Sequence, residues 1–168
     1  MKLLRSYRVP FRCMLILIVI ALQGCGRADT HPTGVPDGST ITVNPSTITY
    51  TSIANFSRDF AVTVKDKTGE PINKAQVQIT GAFAEPRNAT NTTARYQFYR
   101  YTGGENTVGN IPVNSGFTAE TDSYGVYNFS VTVYGSLLVS GVTVTNSFTD
   151  TIDISSGNAF GSVVLTIN

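Results

Sequence analysis

Apolar and polar residues alternate along most of the chain after residue 39, which is the period-two pattern of β-strands with one buried face. The alternating segments are 40–44, 47–51, 59–66, 75–80, 127–133 and 161–168. Segment 137–145 has the same character but loses its phase at Gly141, which predicts a bulge or bend. Helix-like apolar stripes are missing from this region. The pattern therefore predicts an all-β fold, an antiparallel sandwich of about seven to eight strands in residues 39–168.

The first 25 residues have a different layout, that of an export signal. Lys2, Arg5, Arg8 and Arg12 form a positive leader, and an apolar run of ten residues, 13–22, follows it. A membrane span needs about 20 apolar residues, so the run fits the core of a signal peptide. Residues 1–24 are therefore predicted to be removed from the mature protein.

The apolar run closes on Leu22-Gln23-Gly24-Cys25, which resembles the lipobox of bacterial lipoproteins. The resemblance implies cleavage after Gly24 and attachment of acyl chains such as palmitate to Cys25. Several acyl chains hold a soluble domain firmly at a bilayer, whereas one chain does so only marginally. In enterobacterial lipoproteins an Asp after the cysteine favours the inner membrane; here Gly26 follows, so the outer membrane is expected. Whether the protein faces the periplasm or the cell surface stays open.

Residues 25–38 are expected to form the lipidated cysteine and a flexible tether. Residues 26–38 contain three Gly and two Pro and show no apolar period, which is the composition of a linker. His31 lies in this segment and is interpreted as a solvated linker residue. Fully extended, the tether spans at most about 40 Å.

The net charge and the positions of Cys and His exclude several classes of function. Without residues 1–24 the chain keeps eight basic and eleven acidic side chains, a net charge of about −3, so no nucleic-acid partner is expected. Both Cys and the single His lie in the first 31 residues. Nucleophilic catalysis and most zinc sites require Cys or His. We therefore expect no catalytic residues, no cofactor and no metal; Asp66, Asp122, Asp150 and Asp153 do not form a dense calcium-binding loop.

Two turn segments carry a resemblance to a known family. Residues 60–79 resemble the second and third strands of bacterial Ig-like domains of the invasin/intimin type, and residues 121–129 resemble a later Thr-Asp-x-x-Gly motif of that family. The turn residues concerned are Asp66, Gly69, Pro71, Asp122 and Gly125. In such turns Asp accepts hydrogen bonds, Gly supplies a positive φ and Pro fixes φ. The resemblance implies that residues 39–168 form an Ig-like β-sandwich.

Residues 82–116 are longer than that fold requires, since an Ig-type sandwich needs about 100 residues. This predicted insertion contains an aromatic segment, residues 95–101, which admits two compatible interpretations. In one it is a strand of the sandwich, with Tyr96 and Phe98 inward and Tyr99 and Tyr101 on the outer face. In the other it binds a partner or a glycan, because aromatic rings and arginines are favoured at interfaces. The candidate binding residues are Arg95, Tyr96, Phe98, Tyr99, Arg100 and Tyr101.

These features predict a non-catalytic lipoprotein of the cell envelope, held at the membrane through Cys25. Relatives of the invasin type serve as spacers and adhesive modules, usually in tandem arrays. One module on a short tether favours an accessory role toward another envelope protein or a polysaccharide. The alternative is a surface-exposed adhesin or glycan-binding lipoprotein that uses residues 95–101. A third possibility is a transthyretin-like accessory protein or inhibitor of a periplasmic enzyme.

Overall fold

The computed structural model describes residues 34–51, 54–88, 90–101, 111–113 and 115–168, with the backbone alone for 111–113. The predicted signal peptide, Cys25 and His31 lie outside the described residues. Within these ranges every regular element is a strand, so the all-β prediction is confirmed. The same ranges contain no helix that is able to span a membrane. The strands are β1 (Thr40–Asn44), β2 (Thr47–Tyr50), β3 (Phe56–Lys65), β4 (Gln76–Gly81), β5 (Tyr96–Arg100), β6 (Ile111–Val113), β7 (Gly116–Glu120), β8 (Val126–Val133), β9 (Ser136–Val139), β10 (Val142–Thr145), β11 (Phe148–Ser156) and β12 (Ala159–Ile167).

The strands form two five-stranded sheets and a separate hairpin. The first sheet has the order β1-β3-β8-β5-β6, and the second has the order β2-β12-β11-β4-β7. All pairs are antiparallel except β2 and β12, which run parallel. β1 and β2 belong to different sheets although only Pro45 and Ser46 separate them. Pro45 has no N–H to donate to a ladder, so the chain leaves one sheet there and enters the other.

One hydrophobic core joins the inward faces of the two sheets. Its members are every second residue of a strand, as in β3, where Phe60, Val62 and Val64 are buried. Ring packing adds to the core: the Phe60 and Phe129 rings stack with their centroids 5.1 Å apart. Burial of aromatic and branched residues is the main favourable term in folding. The arrangement is consistent with a β-sandwich.

The predicted insertion contributes strands to both sheets. β5 lies between β8 and β6 in the first sheet, and β7 pairs with β4 at the edge of the second. Residues 102–110 lie outside the described residues. The structure contains more strands than the seven or eight predicted, partly because residues 82–116 contain β5 and β6 and end at the first residue of β7.

β11 is a central strand that the sequence pattern did not reveal. It pairs with β12 on one side and β4 on the other. Its inward positions include Asp150 and Ser156 beside Ile152 and Ile154. Two polar residues thus interrupt the apolar alternation, and their burial requires hydrogen-bond partners from other strands.

Segment 137–145 is a hairpin of two strands, not one bent strand. Val139 pairs with Val142 across Ser140 and Gly141, whose φ angles are +50° and +80°. Two consecutive residues with positive φ form the tight turn that suits the twist of a hairpin. The loss of phase at Gly141 therefore marks a turn and not a bulge. The hairpin stands apart from both large sheets, and Val142 is 62% exposed.

The packed part of the chain begins before the predicted boundary at Ser39. Val35 is fully buried in the core. The Ser39 hydroxyl donates to the Pro36 carbonyl oxygen at 2.7 Å, and Asn158 Nδ2 donates to Asp37 Oδ1 at 3.0 Å. Residues 35–38 are therefore part of the folded unit, which shortens the predicted tether.

Candidate binding surface

Strand β5 separates the aromatic segment into an inner and an outer set. It pairs with β8 so that Phe98 lies opposite Val131 and Tyr99 opposite Ser130. Successive side chains of a strand point to opposite faces. Tyr96 and Phe98 are fully buried, whereas Tyr99 is only half-buried. Tyr96 and Phe98 are therefore core residues, and their prediction as binding residues is wrong.

Tyr96 holds a buried carboxylate in the core. Its hydroxyl donates to Asp150 Oδ2 at 2.6 Å, and the Phe83 backbone N–H donates to the same oxygen at 3.0 Å. The Thr151 N–H donates to Asp150 Oδ1 at 2.8 Å. Burial, followed by the Asp150 hydrogen bond and charge, raises the pKa of Tyr96. This cluster satisfies a charged group inside the sandwich, so its role is structural.

Arg95 packs where β5 and β11 begin. Its guanidinium carbon lies 5.2 Å from the centre of the Phe83 ring and 5.4 Å from that of Phe148. Its Nη1 donates to the Ser147 carbonyl oxygen at 2.9 Å. The side-chain amide of Asn146, which is fully buried, donates to the Arg95 carbonyl oxygen at 2.8 Å. Arg95 thus joins the starts of β5 and β11.

Arg100 lies on the same side of β5 as Tyr96 and Phe98 and is half-buried. Its backbone pairs with Phe129. Arg100 Nε and the hydroxyl of Tyr127 are buried without a hydrogen-bond partner among the described residues. Burial raises the pKa of Tyr127 to about 12, although the charge of Arg100 acts in the opposite direction. Arg100 is therefore not part of the outer surface.

The outer side of the first sheet carries a surface that we call the tyrosine face: Gln97, Tyr99, Tyr101, Asp59 and Ser130. The Tyr101 hydroxyl donates to Asp59 Oδ1 at 2.8 Å, and the Tyr99 hydroxyl donates to Gln97 Oε1 at 3.2 Å. Gln97 and Ser130 are only 4% and 5% exposed. The half-buried rings of Tyr99 and Tyr101 therefore lie on an ordered polar floor.

Tyr134 supports this floor from the end of β8. Its hydroxyl donates to Gln97 Oε1 at 2.7 Å, and the Arg87 guanidinium carbon lies 4.6 Å from the centre of its ring. Burial, then the proximity of Tyr99, raises the pKa of Tyr134 to about 12. Burial and the neighbouring Asp59 likewise raise the pKa of Tyr101. The phenols of Tyr101 and Tyr134 are thus neutral at neutral pH.

The first predicted turn is built around Asp66. Its Oδ1 accepts hydrogen bonds from the Thr68 N–H, the Thr68 hydroxyl and the Glu70 N–H, all within 3.0 Å. The Thr68 hydroxyl is the largest cause of the lowered pKa of Asp66. Gly69 has a φ of +91°, and Pro71 forms an isolated bridge with Lys65 on the return path. The Asp66 carboxylate thus organises the connection from β3 to β4.

The second predicted turn repeats this geometry. Asp122 Oδ1 accepts from the N–H groups of Tyr124 and Val126, each at 2.9 Å. Gly125 has a φ of +69°, and a Cβ there would lie 2.6 Å from the Val64 carbonyl oxygen. Glycine is therefore required at this position by both its φ and its close neighbour. Both turns are structural elements and lie away from the tyrosine face.

The outer side of the second sheet carries a groove that sequence reasoning missed. It is open, has a volume of about 880 Å³ and runs along β4, β7 and β11. We call it the threonine groove, and the outward polar side chains of its three strands are Gln78, Thr80, Thr118, Thr149, Thr151 and Asp153. The outward polar positions of the alternating segment 75–80 were a partial signal. The contributions of β7 and β11 depend on strand pairing, which the local pattern does not specify.

Among the residues that the structure describes, no three His, Cys, Asp or Glu side chains come together as metal ligands would. No protein-family model matches the chain, and a search of curated proteins gives no match either.

Proposed function

We propose that this chain is a non-catalytic lipoprotein of the Gram-negative envelope, anchored through Cys25, whose Ig-like module binds another envelope component. The partner in this proposal is an envelope protein or polysaccharide. The observation that carries it is the tyrosine face. Tyr99 and Tyr101 lie at the surface on a floor of ordered hydrogen bonds, while the neighbouring aromatic residues of β5 fill the core. Partly exposed tyrosines on a strand and directly after it are typical contact residues.

The strand order supports the Ig-like type. In Ig constant-type domains the two sheets have the orders A-B-E-D and G-F-C. The orders β1-β3-β8-β5 and β12-β11-β4 correspond to these, with β2, β6 and β7 as additional edge strands. The hydrogen-bonded turns at Asp66 and Asp122, each followed by a glycine of positive φ, also support the proposal of an invasin-type module.

The membrane anchor is tested by metabolic labelling with palmitate and by cell fractionation. The lipobox predicts that Cys25→Ser abolishes both the label and retention in the outer-membrane fraction. Cys13→Ser is the matched control, because Cys13 lies inside the apolar run and keeps the lipobox intact. Labelling of the Cys25→Ser protein would refute lipidation at this residue.

The side of the membrane is tested by protease digestion of a C-terminal tag on whole cells. Protection until the outer membrane is permeabilised supports the accessory role in the periplasm. Cleavage on intact cells would instead favour the alternative, a surface adhesin or glycan-binding lipoprotein.

The tyrosine face is tested with Tyr99→Ser and Tyr101→Ser. Each variant removes a ring from the surface and leaves the core side of β5 unchanged. Loss of co-purification of one envelope component, with the circular dichroism spectrum unchanged, is the expected result. Tyr124→Ser is the control, because Tyr124 is 74% exposed and lies on the Asp122 turn. Equal co-purification by all three variants would refute a binding role for this face.

A further inference from the structure

The threonine groove has a shape that its small residues create. Gly116 of β7 leaves the floor open, since a Cβ there would lie 2.8 Å from Thr80 Cγ2 and 3.0 Å from the Ile79 carbonyl oxygen. Ala82, which directly follows β4, adds a second small residue to the lining. Its walls stand on strands that are paired on both sides or along one full edge, so the groove keeps its shape without a ligand.

The polar side chains of the groove are available for a ligand. The six that define it, residues 78, 80, 118, 149, 151 and 153, make no side-chain hydrogen bond to any part of the chain that the structure describes. They present four hydroxyls, one amide and one carboxylate to the same open volume. On the tyrosine face, by contrast, the hydroxyls of Tyr99 and Tyr101 already donate within the protein.

The charge of the groove selects among ligand classes. No Lys or Arg contributes to its walls, and Asp153 is the one carboxylate directed to it, since Asp150 is turned inward to Tyr96. Anionic ligands are therefore disfavoured. The groove also lacks the Trp, Tyr and Arg anchors that dominate protein interfaces. Hydroxyl and amide groups both donate and accept, which matches a neutral ligand rich in hydroxyls.

We propose that the threonine groove binds a neutral glycan chain. The Gln78 amide of β4 donates to and accepts from sugar hydroxyls, and the Asp153 carboxylate of the neighbouring strand β11 accepts from them. The threonines of β7 and β11 flank β4 and follow the glycan on either side of it. This site lies on the sheet opposite the tyrosine face and does not depend on it.

The test is isothermal titration calorimetry on the full chain in detergent, with cellohexaose, maltohexaose and chitohexaose as neutral probes and an oligogalacturonate as the anionic probe. Binding of at least one neutral probe, and weaker binding of the anionic one, is expected. Gln78→Ala and Asp153→Ala should each lower the affinity for the neutral probe about three- to tenfold, which is the effect of one lost hydrogen bond. Gln76→Ala is the matched control: Gln76 lies on the same strand and face, outside the groove, and should change affinity less than about twofold.

Four results would overturn the proposal. They are no heat from any neutral probe, tighter binding of the anionic probe, an equal loss in Gln76→Ala and Gln78→Ala, and unchanged affinity in Gln78→Ala and Asp153→Ala. Tyr99→Ser separates this site from the proposed function. It should leave glycan affinity unchanged; if it abolishes glycan binding, the glycan occupies the tyrosine face and the groove assignment fails.

Discussion

The contact between Gly81 and Tyr96 allows the packing of the two sheets to be tested quantitatively. A methyl group at residue 81 would overlap the Tyr96 hydroxyl and lie 3.1 Å from Phe98 Cζ. The Tyr96 ring is fixed in its turn, because its hydroxyl donates to the buried carboxylate of Asp150 at 2.6 Å. Gly81→Ala therefore forces the ring to move and breaks this hydrogen bond.

The expected loss in the free energy of unfolding follows from these two effects. Overpacking a core costs about 1–3 kcal/mol, and loss of a hydrogen bond to a charged group costs about 1.5–3 kcal/mol. Gly81→Ala should therefore cost about 2.5–6 kcal/mol. Tyr96→Phe loses the hydrogen bond alone, about 1.5–3 kcal/mol. The double variant has no hydroxyl in the way of the methyl group, so its cost should fall short of the sum by more than about 1 kcal/mol.

Urea denaturation followed by circular dichroism measures these costs by linear extrapolation. Tyr124→Phe controls for the loss of a phenol hydroxyl at an exposed site and should leave the midpoint unchanged. The costs of the two single variants could add up to the cost of the double variant within about 0.5 kcal/mol. Such additivity would show that the methyl group at residue 81 and the Tyr96 hydroxyl do not meet. That result would refute the close packing of residue 81 against the Tyr96 ring.

Three further predictions concern the turns and the buried phenols. Gly125→Ala should lower the urea midpoint more than Gly69→Ala, because both have positive φ but only at residue 125 would a Cβ meet a backbone carbonyl oxygen; equal midpoints would contradict this. The pKa of Asp66 is lowered in the folded state, so its contribution is present above its unfolded pKa of about 4 and is lost as pH falls through the folded value. Asp66→Asn should show a smaller loss of stability in acid. Burial raises the pKa of Tyr134 to about 12, so its contribution is complete below the unfolded pKa of about 10 and is lost as pH rises toward 12. Tyr134→Phe should flatten this alkaline decline, and an unchanged slope would refute it.

The strands that the sequence predicted correctly are those in which apolar and polar residues alternate along the chain. Residues 40–44 were predicted as a strand and form β1, and the inward set of β3 was found because apolar and polar residues alternate there. β11 was missed because Asp150 and Ser156 occupy inward positions. Their burial is compensated by the Tyr96 hydroxyl and the Gln76 carbonyl oxygen, 54 and 80 residues away in the chain. Local sequence carries no information on such partners.

The sequence likewise predicted only part of the candidate binding surface. Alternation along β5 assigned Tyr96 and Phe98 to the core and Tyr99 and Tyr101 to the outer face, as the structure has them. It did not assign Arg95, whose ring contacts and hydrogen bonds come from segments before and after β5. Nor did it identify the polar floor, since Asp59 and Ser130 reach the tyrosines only through strand pairing.

The hydrogen bonds already made on the tyrosine face determine how it is able to bind. A partner that took the hydroxyl of Tyr101 would have to replace the bond to Asp59, and such an exchange gives little net free energy. The ring faces have no such competition and supply apolar contact area. Binding should therefore use the ring of Tyr101 and not its hydroxyl. Tyr101→Phe should keep the co-purified partner that Tyr101→Ser loses, and loss in both would assign the interaction to the hydroxyl.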